Sequence, residues 1–287
     1  MTPPITTHAG DLMAHYDVVF CDVWGVVHDG LTAHIPACEA LARFRTLGGT
    51  VILVSNAPVP REQVARMLDQ RSVPRSAWDA IVSSGDIALD HIAAKCYGAL
   101  HWIGPRDRDS ALFDRLTTRQ TSIADADAIL CSGLNDDRIE TAASYRPQLD
   151  QALARHLPFV CANPDLVVDV GRTHYLCAGA IADLYESMGG PVFWAGKPHA
   201  SAYRAAFATA GRLRGTVVPP GRVLAIGDAI RTDLKAALGA GVGALFIAGG
   251  IHRQVAMTGA AIDPVKLAAL FAAESIPALA AMAQLRW

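Results

Sequence analysis

The sequence predicts an α/β fold built on doubly wound parallel sheet. Three observations lead there. Apolar, strand-like runs alternate with helical patterns along most of the 287 residues. The runs are continuous rather than alternating apolar and polar, which is how strands covered on both faces read. The windows between them are amphipathic and supply the covering helices.

In chain order the strands fall at Val18–Val23, Thr50–Ser55, Ala99–Ile103, Ala128–Cys131, Pro158–Ala162, Val192–Ala195, Arg222–Ile226 and Ala244–Ala248. Each is a short apolar run of strand length. Helical windows lie at Pro36–Leu47, Arg61–Gln70, Ser84–Lys95, Ala180–Met188, Ser201–Ala210 and Thr232–Leu238. The C-terminal stretch from Val265 to Leu285 carries apolar residues at helical spacing, as a helix packed on the core or at an oligomer face does. Gly and Pro cluster near Val73–Asp86 and again at Ser187–His199. If the segment between these clusters is a separate unit, the first and last thirds form one domain with an insertion.

Composition narrows the function. The chain is 52% apolar and 18% charged with a net charge of −2, so no global field draws it to nucleic acid or an anionic membrane. No basic stripe with interleaved aromatics appears. The 6 cysteines are scattered without a C-x-x-C pair, which reads as buried free thiols in a reducing compartment and gives a zinc site little support. The first residues lack a basic start and an apolar core, so they do not read as a secretory signal. No uninterrupted apolar run reaches bilayer-spanning length. The expectation is a cytoplasmic protein with neither nucleic acid nor membrane as partner.

Four polar groups sit at predicted strand ends, where open α/β sheets bind ligands. Asp22 ends the first strand in FCDVWGVVHDG, and Ser55-Asn56 ends the second in VILVSNAPVP. Lys197 follows a short strand in VFWAGKPHAS, and Asp228 ends another in RVLAIGDAIRTDLKAA, with Asp233 at the start of the next helix. Taken singly, each has a plainer reading as a turn residue, a solvated charge or a helix cap. Taken together they make coherent chemistry. Two carboxylates from different strands suit Mg²⁺, a lysine and a hydroxyl suit a phosphoryl group, and a carboxylate can attack phosphorus.

In this order the motifs resemble the haloacid dehalogenase (HAD) superfamily of aspartate-nucleophile phosphohydrolases, and within it the class IIA branch of sugar-phosphate and nitrophenyl-phosphate phosphatases. Asp22 with Gly25, Ser55-Asn56, Lys197 in GKPH, and Gly227 to Asp233 in GDAIRTD match its four motifs; CANPDLVV and CAGAIADLYESMGG resemble its cap. The resemblance implies a Rossmann-like core of residues 1–75 and 190–287, with an α/β cap of the C2 type at 76–189. It implies Asp22 as nucleophile and metal ligand, Asp228 as second carboxylate ligand and Asp233 as a supporting group. Ser55 and the amide of Asn56 would grip phosphate, and Lys197 would neutralise charge there. Mg²⁺, a small phosphorylated metabolite and a homodimer are its implied cofactor, partner and assembly.

The sequence departs from that family at Trp24. The family's second aspartate, its general acid and base, belongs there; its metal contact at this position is a backbone carbonyl, which Trp24 retains. Indole carries no exchangeable acid near neutral pH, so acid–base help worth roughly 10²–10⁴ in rate is lost for a poor leaving group. Three readings follow. The substrate has a good leaving group, such as an acyl or aryl phosphate; or His28 or Asp29, just downstream, substitutes; or the protein binds a phosphorylated metabolite, or a partner protein, without turnover. The plain reading of His28-Asp29 is an exposed turn. Phosphonate cleavage is a minor further alternative, because no lysine near Asp22 or Ser55 suggests a Schiff base. In the cap, Asn163 and Asp165 are candidate substrate contacts, with tight-turn use of Asn-Pro-Asp the equal alternative. GALHWIG (Gly98–Gly104) reads most simply as a cap strand, with contact between Trp102 and a ligand the lesser alternative.

Overall fold

The computed structural model describes residues 2–170 and 173–287. In chain order come β1 (Val18–Cys21), β2 (Thr50–Ser55) and β3 (Ala80–Ser83). Next are β4 (Ala99–Ile103), β5 (Arg119–Gln120), β6 (Ala128–Cys131) and β7 (Phe159–Cys161). A hairpin follows, β8 (Val167–Val170) and β9 (Thr173–Leu176), then β10 (Val192–Trp194). The last third holds β11 (Val223–Gly227), β12 (Gly243–Ile247), a small hairpin of β13 (Met257–Thr258) and β14 (Ala261–Ile262), and β15 (Ala280–Met282).

The chain divides into two compact units, the first made of Met1–Ser55, Ala65–Val82 and Ala202–Trp287. Its sheet runs β15-β12-β11-β1-β2-β3. Counted along the chain, the strand order reverses between β1 and β11, the switch point at which doubly wound sheets place their ligands. β1 is buried along its whole length, and Cys21 lies level with Leu53 of β2 and Ile226 of β11 in parallel register. Phe20 explains part of that burial, because Tyr203 and Phe207 of the helix Ala200–Arg214 meet it edge-on at 5.3 and 5.1 Å.

The C-terminal stretch is half of what its spacing suggests. A helix spans Pro264–Glu274, capped by Asp263, whose carboxylate accepts from the N–H groups of Val265 and Lys266. Ser275 then takes a left-handed φ of 55° and Pro277 cannot continue the ladder, so the chain leaves the helix and returns as β15 on the sheet edge. That edge is covered in turn: Thr6 N–H donates to Ala281 O, and Ala281 N–H donates to Pro4 O, both at 2.9 Å.

The second unit comprises Asn56–Val64 and Ser83–Ser201. Its sheet is β10-β7-β6-β4-β5, parallel throughout, with its own reversal between β4 and β6. Ile129, Phe159 and Tyr185 are buried in its separate core, and the Tyr185 hydroxyl donates to Leu157 O at 2.8 Å. These limits differ from junctions after residue 75 and before 190. β3 joins the first sheet, and β10 pairs with β7 in the second. The helix Ser84–Lys95 is capped by Ser83, which accepts from Asp86 N–H, and ends at Cys96 with a left-handed φ of 54°. Cys96 is the one exposed thiol; the other five cysteines are buried. Among the described residues no helix is long and apolar enough to cross a membrane.

Candidate active site

The first unit brings three of the expected carboxylates together. β1 ends at Cys21, but Asp22 N–H still donates to Ile226 O at 2.8 Å, so the ladder with β11 holds the Asp22 backbone in place. Asp228 follows β11 directly and is only 4% exposed. One oxygen from each of Asp22, Asp228 and Asp233 lies within 4.8 Å of the others. The cysteines take no part in this group.

Asp233 arrives by an irregular route. A single π-helical turn, Ile230–Leu234, replaces the regular helix start expected there, and turns of this kind are common at functional sites. The Asp233 carboxylate, 2% exposed, accepts from Ala229 N–H at 3.1 Å. A Cβ on Gly227 would fall 2.2 Å from its side chain, which explains the glycine in Gly-Asp.

Three carboxylates so close repel by roughly 3 kcal/mol for each ionised pair, at an effective dielectric of about 20. A divalent cation offsets that cost, and an all-oxygen donor set suits a hard one. The surroundings are cut to the carboxylate of Asp228: it accepts from Ile251 N–H at 2.7 Å, and a Cβ on Gly25 or Gly250 would lie 2.0 or 1.9 Å from its Oδ2. The residues present therefore fit Mg²⁺. Gly250, after β12, was not among the expected site residues; Gly-Gly following a strand was the available signal.

Trp24 is mounted firmly. Its ring meets His28 edge-on at 5.1 Å, and Gly25 N–H donates to His28 O at 2.8 Å. Gly30, at φ +92°, has the ring where its own Cβ would be, 2.5 Å away. His28 is not in an exposed turn: it is 2% exposed, and its Nδ1 accepts from Gly30 N–H at 2.9 Å. Burial, with the positive charges of Arg71 and His34 adding to it, pushes its imidazole down to about 4. Asp29 is exposed, accepts from the N–H groups of Leu31 and Thr32, and has its pKa lowered first by the Thr32 bond. Neither side chain carries a readily donated proton at neutral pH, so both are better explained as parts of the turn than as a replacement acid.

Ser55 ends β2 and is half-buried. In the second unit, Asn56 and Lys197 are buried, at 6% and 2% exposure. The Asn56 side chain hydrogen-bonds both the N–H and the C=O of Lys197, and also reaches Asp165 at 2.8 Å. Asn163 Oδ1 accepts from Asp165 N–H at 3.1 Å, which is the tight-turn use of Asn-Pro-Asp. The Asn56–Asp165 bond joins residues 109 positions apart, and nothing local in the sequence announces it. Trp102 stacks on Phe113 at 4.8 Å with Arg106 over it, and its Nε1 is buried without a hydrogen-bond partner.

A haloacid dehalogenase-like hydrolase model matches residues 19–114, and a second, HAD-hydrolase-like model matches residues 194–272. No curated protein matches the chain significantly. Among solved structures, a hydrolase of the haloacid dehalogenase-like family from Brucella suis 1330 is 38% identical, covering 98% of this chain and 100% of its own, with a TM-score of 0.85. A possible sugar phosphatase of that superfamily from Cytophaga hutchinsonii shares 16% identity over 98% of both chains, with a TM-score of 0.76. The p-nitrophenyl phosphatase from Archaeoglobus fulgidus shares 18% over 94% of this chain and 96% of its own, at 0.71. The last two likenesses are of fold.

Proposed function

The chain belongs to the haloacid dehalogenase-like hydrolases, and from that premise we propose that it is a phosphatase cleaving small phosphomonoesters through Asp22. The observation that carries the reading is the trio Asp22, Asp228 and Asp233, gathered at the switch point of the first sheet. A carboxylate oxygen of Asp22 attacks phosphorus, the ester P–O bond breaks, and the electron pair leaves with the alcohol, phenol or carboxylate. Water then attacks the aspartyl phosphate, releasing inorganic phosphate and restoring Asp22. Ser55 Oγ and the Asn56 N–H bind phosphate oxygens, and Lys197 neutralises charge that builds between Asp22 and the phosphoryl group. Asp22, Asp228 and the carbonyl of Trp24 would hold Mg²⁺, with Asp233 supporting them. When bound, the ion neutralises and orients the phosphate.

Trp24 decides the finer substrate class in this reading. With Trp24 where an acid is needed, His28 neutral and buried, and Asp29 ionised, the leaving group departs without a proton. That favours aryl and acyl phosphates over alkyl ones by about 10²–10⁴ in rate. A small phosphorylated metabolite as substrate, a cytoplasmic location and a homodimer belong to the same proposal.

The test is phosphate release from p-nitrophenyl phosphate, acetyl phosphate and several sugar phosphates, with Mg²⁺ and with EDTA. Metal-dependent release that favours the activated esters and disappears in a folded Asp22→Asn variant is expected. Turnover surviving Asp22→Asn removes the nucleophile assignment. Absence of release from every ester favours the second reading, a protein that binds a phosphorylated metabolite and does not cleave it. Trp24 is the observation on its side.

A further inference from the structure

Asn56 spends its whole side chain on its neighbours. Its Oδ1 accepts from Lys197 N–H at 2.9 Å, and its Nδ2 donates to Lys197 O at 3.0 Å, so the amide grips one peptide segment from both sides. The same Nδ2 donates to Asp165 Oδ1 at 2.8 Å, and Ser84 Oγ donates to Asn56 Oδ1 at 3.4 Å. An amide can be turned end for end at little cost in shape, so what fixes it is the chemistry it faces. A carbonyl oxygen and an ionised carboxylate only accept, so the Lys197 C=O and Asp165 together demand the NH₂ end, with the charged partner the stronger of the two. That leaves Oδ1 for the Lys197 N–H.

Asp165 is itself held rigidly. Asn163 Oδ1 takes its N–H, Pro164 stiffens the turn, and Gly179 lies under it, where a Cβ would meet the Pro164 and Asp165 carbonyls at 2.4 and 2.5 Å. Gly196, just before the lysine, has φ +155°. Its Cβ would strike Ser84 Oγ at 2.2 Å, Asn56 Oδ1 at 2.6 Å and Pro164 Cδ at 2.9 Å. Three segments far apart in sequence therefore close on the main chain of Lys197, all within the second unit.

We propose that Asp165 is a positioning residue for Lys197: it locks the Asn56 amide in the one orientation that fixes the Lys197 backbone, and thereby sets where the ammonium group is delivered. The consequence for turnover rests on the phosphatase reading; the holding of the lysine does not. A direct contact between Asp165 and substrate is the competing role, and the two part on chemistry. Positioning needs an acceptor at Oδ1 and is indifferent to the substrate. A contact needs the charge and varies with the substrate.

Full-length Asp165→Ala and Asp165→Asn variants, checked for folding by their melting curves, separate the two. Positioning predicts that Asp165→Ala loses about 10–100-fold in kcat, by the same factor on p-nitrophenyl phosphate, acetyl phosphate and a sugar phosphate. It also predicts weaker binding of inorganic phosphate in the presence of Mg²⁺. Asp165→Asn keeps an acceptor but can also turn to present its NH₂, so it retains part of the lock and loses clearly less than Asp165→Ala on both measures, again by the same factor on each substrate. An Asn variant as damaged as Ala, losses that differ between substrates, or no loss in either variant overturns the proposal. If Asp165→Ala does not fold, Asp165→Glu replaces it: the charge stays but the acceptor moves, so positioning predicts a uniform loss and a charge contact predicts none. Wild-type protein that binds inorganic phosphate but cleaves nothing ends the phosphatase reading, and the phosphate titrations of the same variants then decide this one. Wild-type protein that does not bind inorganic phosphate overturns it.

Discussion

Gly25 and Gly250 matter for the methyl groups they lack. Either Cβ would occupy the place of the Asp228 carboxylate, which is buried and already committed to Ile251 N–H. Gly250→Ala should therefore leave a folded protein about 1–3 kcal/mol less stable and weaken Mg²⁺ binding about tenfold or more, read by a metal titration of intrinsic fluorescence. Metal affinity equal to wild type would show that the Asp228 carboxylate is not held for a cation. His28 yields a prediction about pH. Its folded pKa is about 4, below the unfolded value near 6.5, so the unfolded chain binds the extra proton between those limits. The stability it contributes is complete above about pH 6.5 and is lost as the pH falls toward 4, by up to about 3 kcal/mol. His28→Asn preserves an acceptor for Gly30 N–H without titrating, so its melting temperature should fall less steeply over that window. An unchanged slope would remove His28 as the source.

At the scale of elements, capping can be tested cleanly on the helix Pro264–Glu274. Asp263 accepts from two of its first N–H groups and from Thr258 Oγ1. Asp263→Ala should cost about 1 kcal/mol in a urea titration while leaving catalytic rates alone. A loss of activity larger than the loss of stability would contradict its being only a cap. This helix also shows where local reading stops. The Ala- and Leu-rich run beyond it has no β-branched signal at Ala280–Met282, and becomes a strand only because β12 and the segment Pro4–Thr6 pair with it. β3 was hidden for a similar reason, being a short run that passes straight into the next helix. β1, β2 and β6 were legible because they are buried along nearly their whole length, so their apolar runs are close to unbroken. The acidic trio was legible too, since each member closes a strand or follows one within a few residues. The Asn56–Asp165 bond and the burial of His28 depend on distant chain, which no local pattern encodes.

In the whole molecule, each of the two units is built on one large sheet with its own switch point and its own core. Unfolding by heat should therefore depart from two-state behaviour, with a calorimetric enthalpy above the van't Hoff value. Mg²⁺ should act on one part of it. At a hundred times its Kd the ion adds about 2.7 kcal/mol to the unit carrying Asp22, Asp228 and Asp233. EDTA should lower that transition and leave the other in place. Equal movement of both would mean that the units unfold as one.

Five thiols lie in the interior, and burial drives Cys38 up to about 11 and Cys177 to about 12, with Cys131 and Cys161 also raised. Cys96 alone faces solvent, on the second unit and at the end of a helix. A maleimide dye or spin label offered to the native protein thus has a single landing place. Spectroscopy can follow the second unit through substrate addition with every wild-type side chain intact.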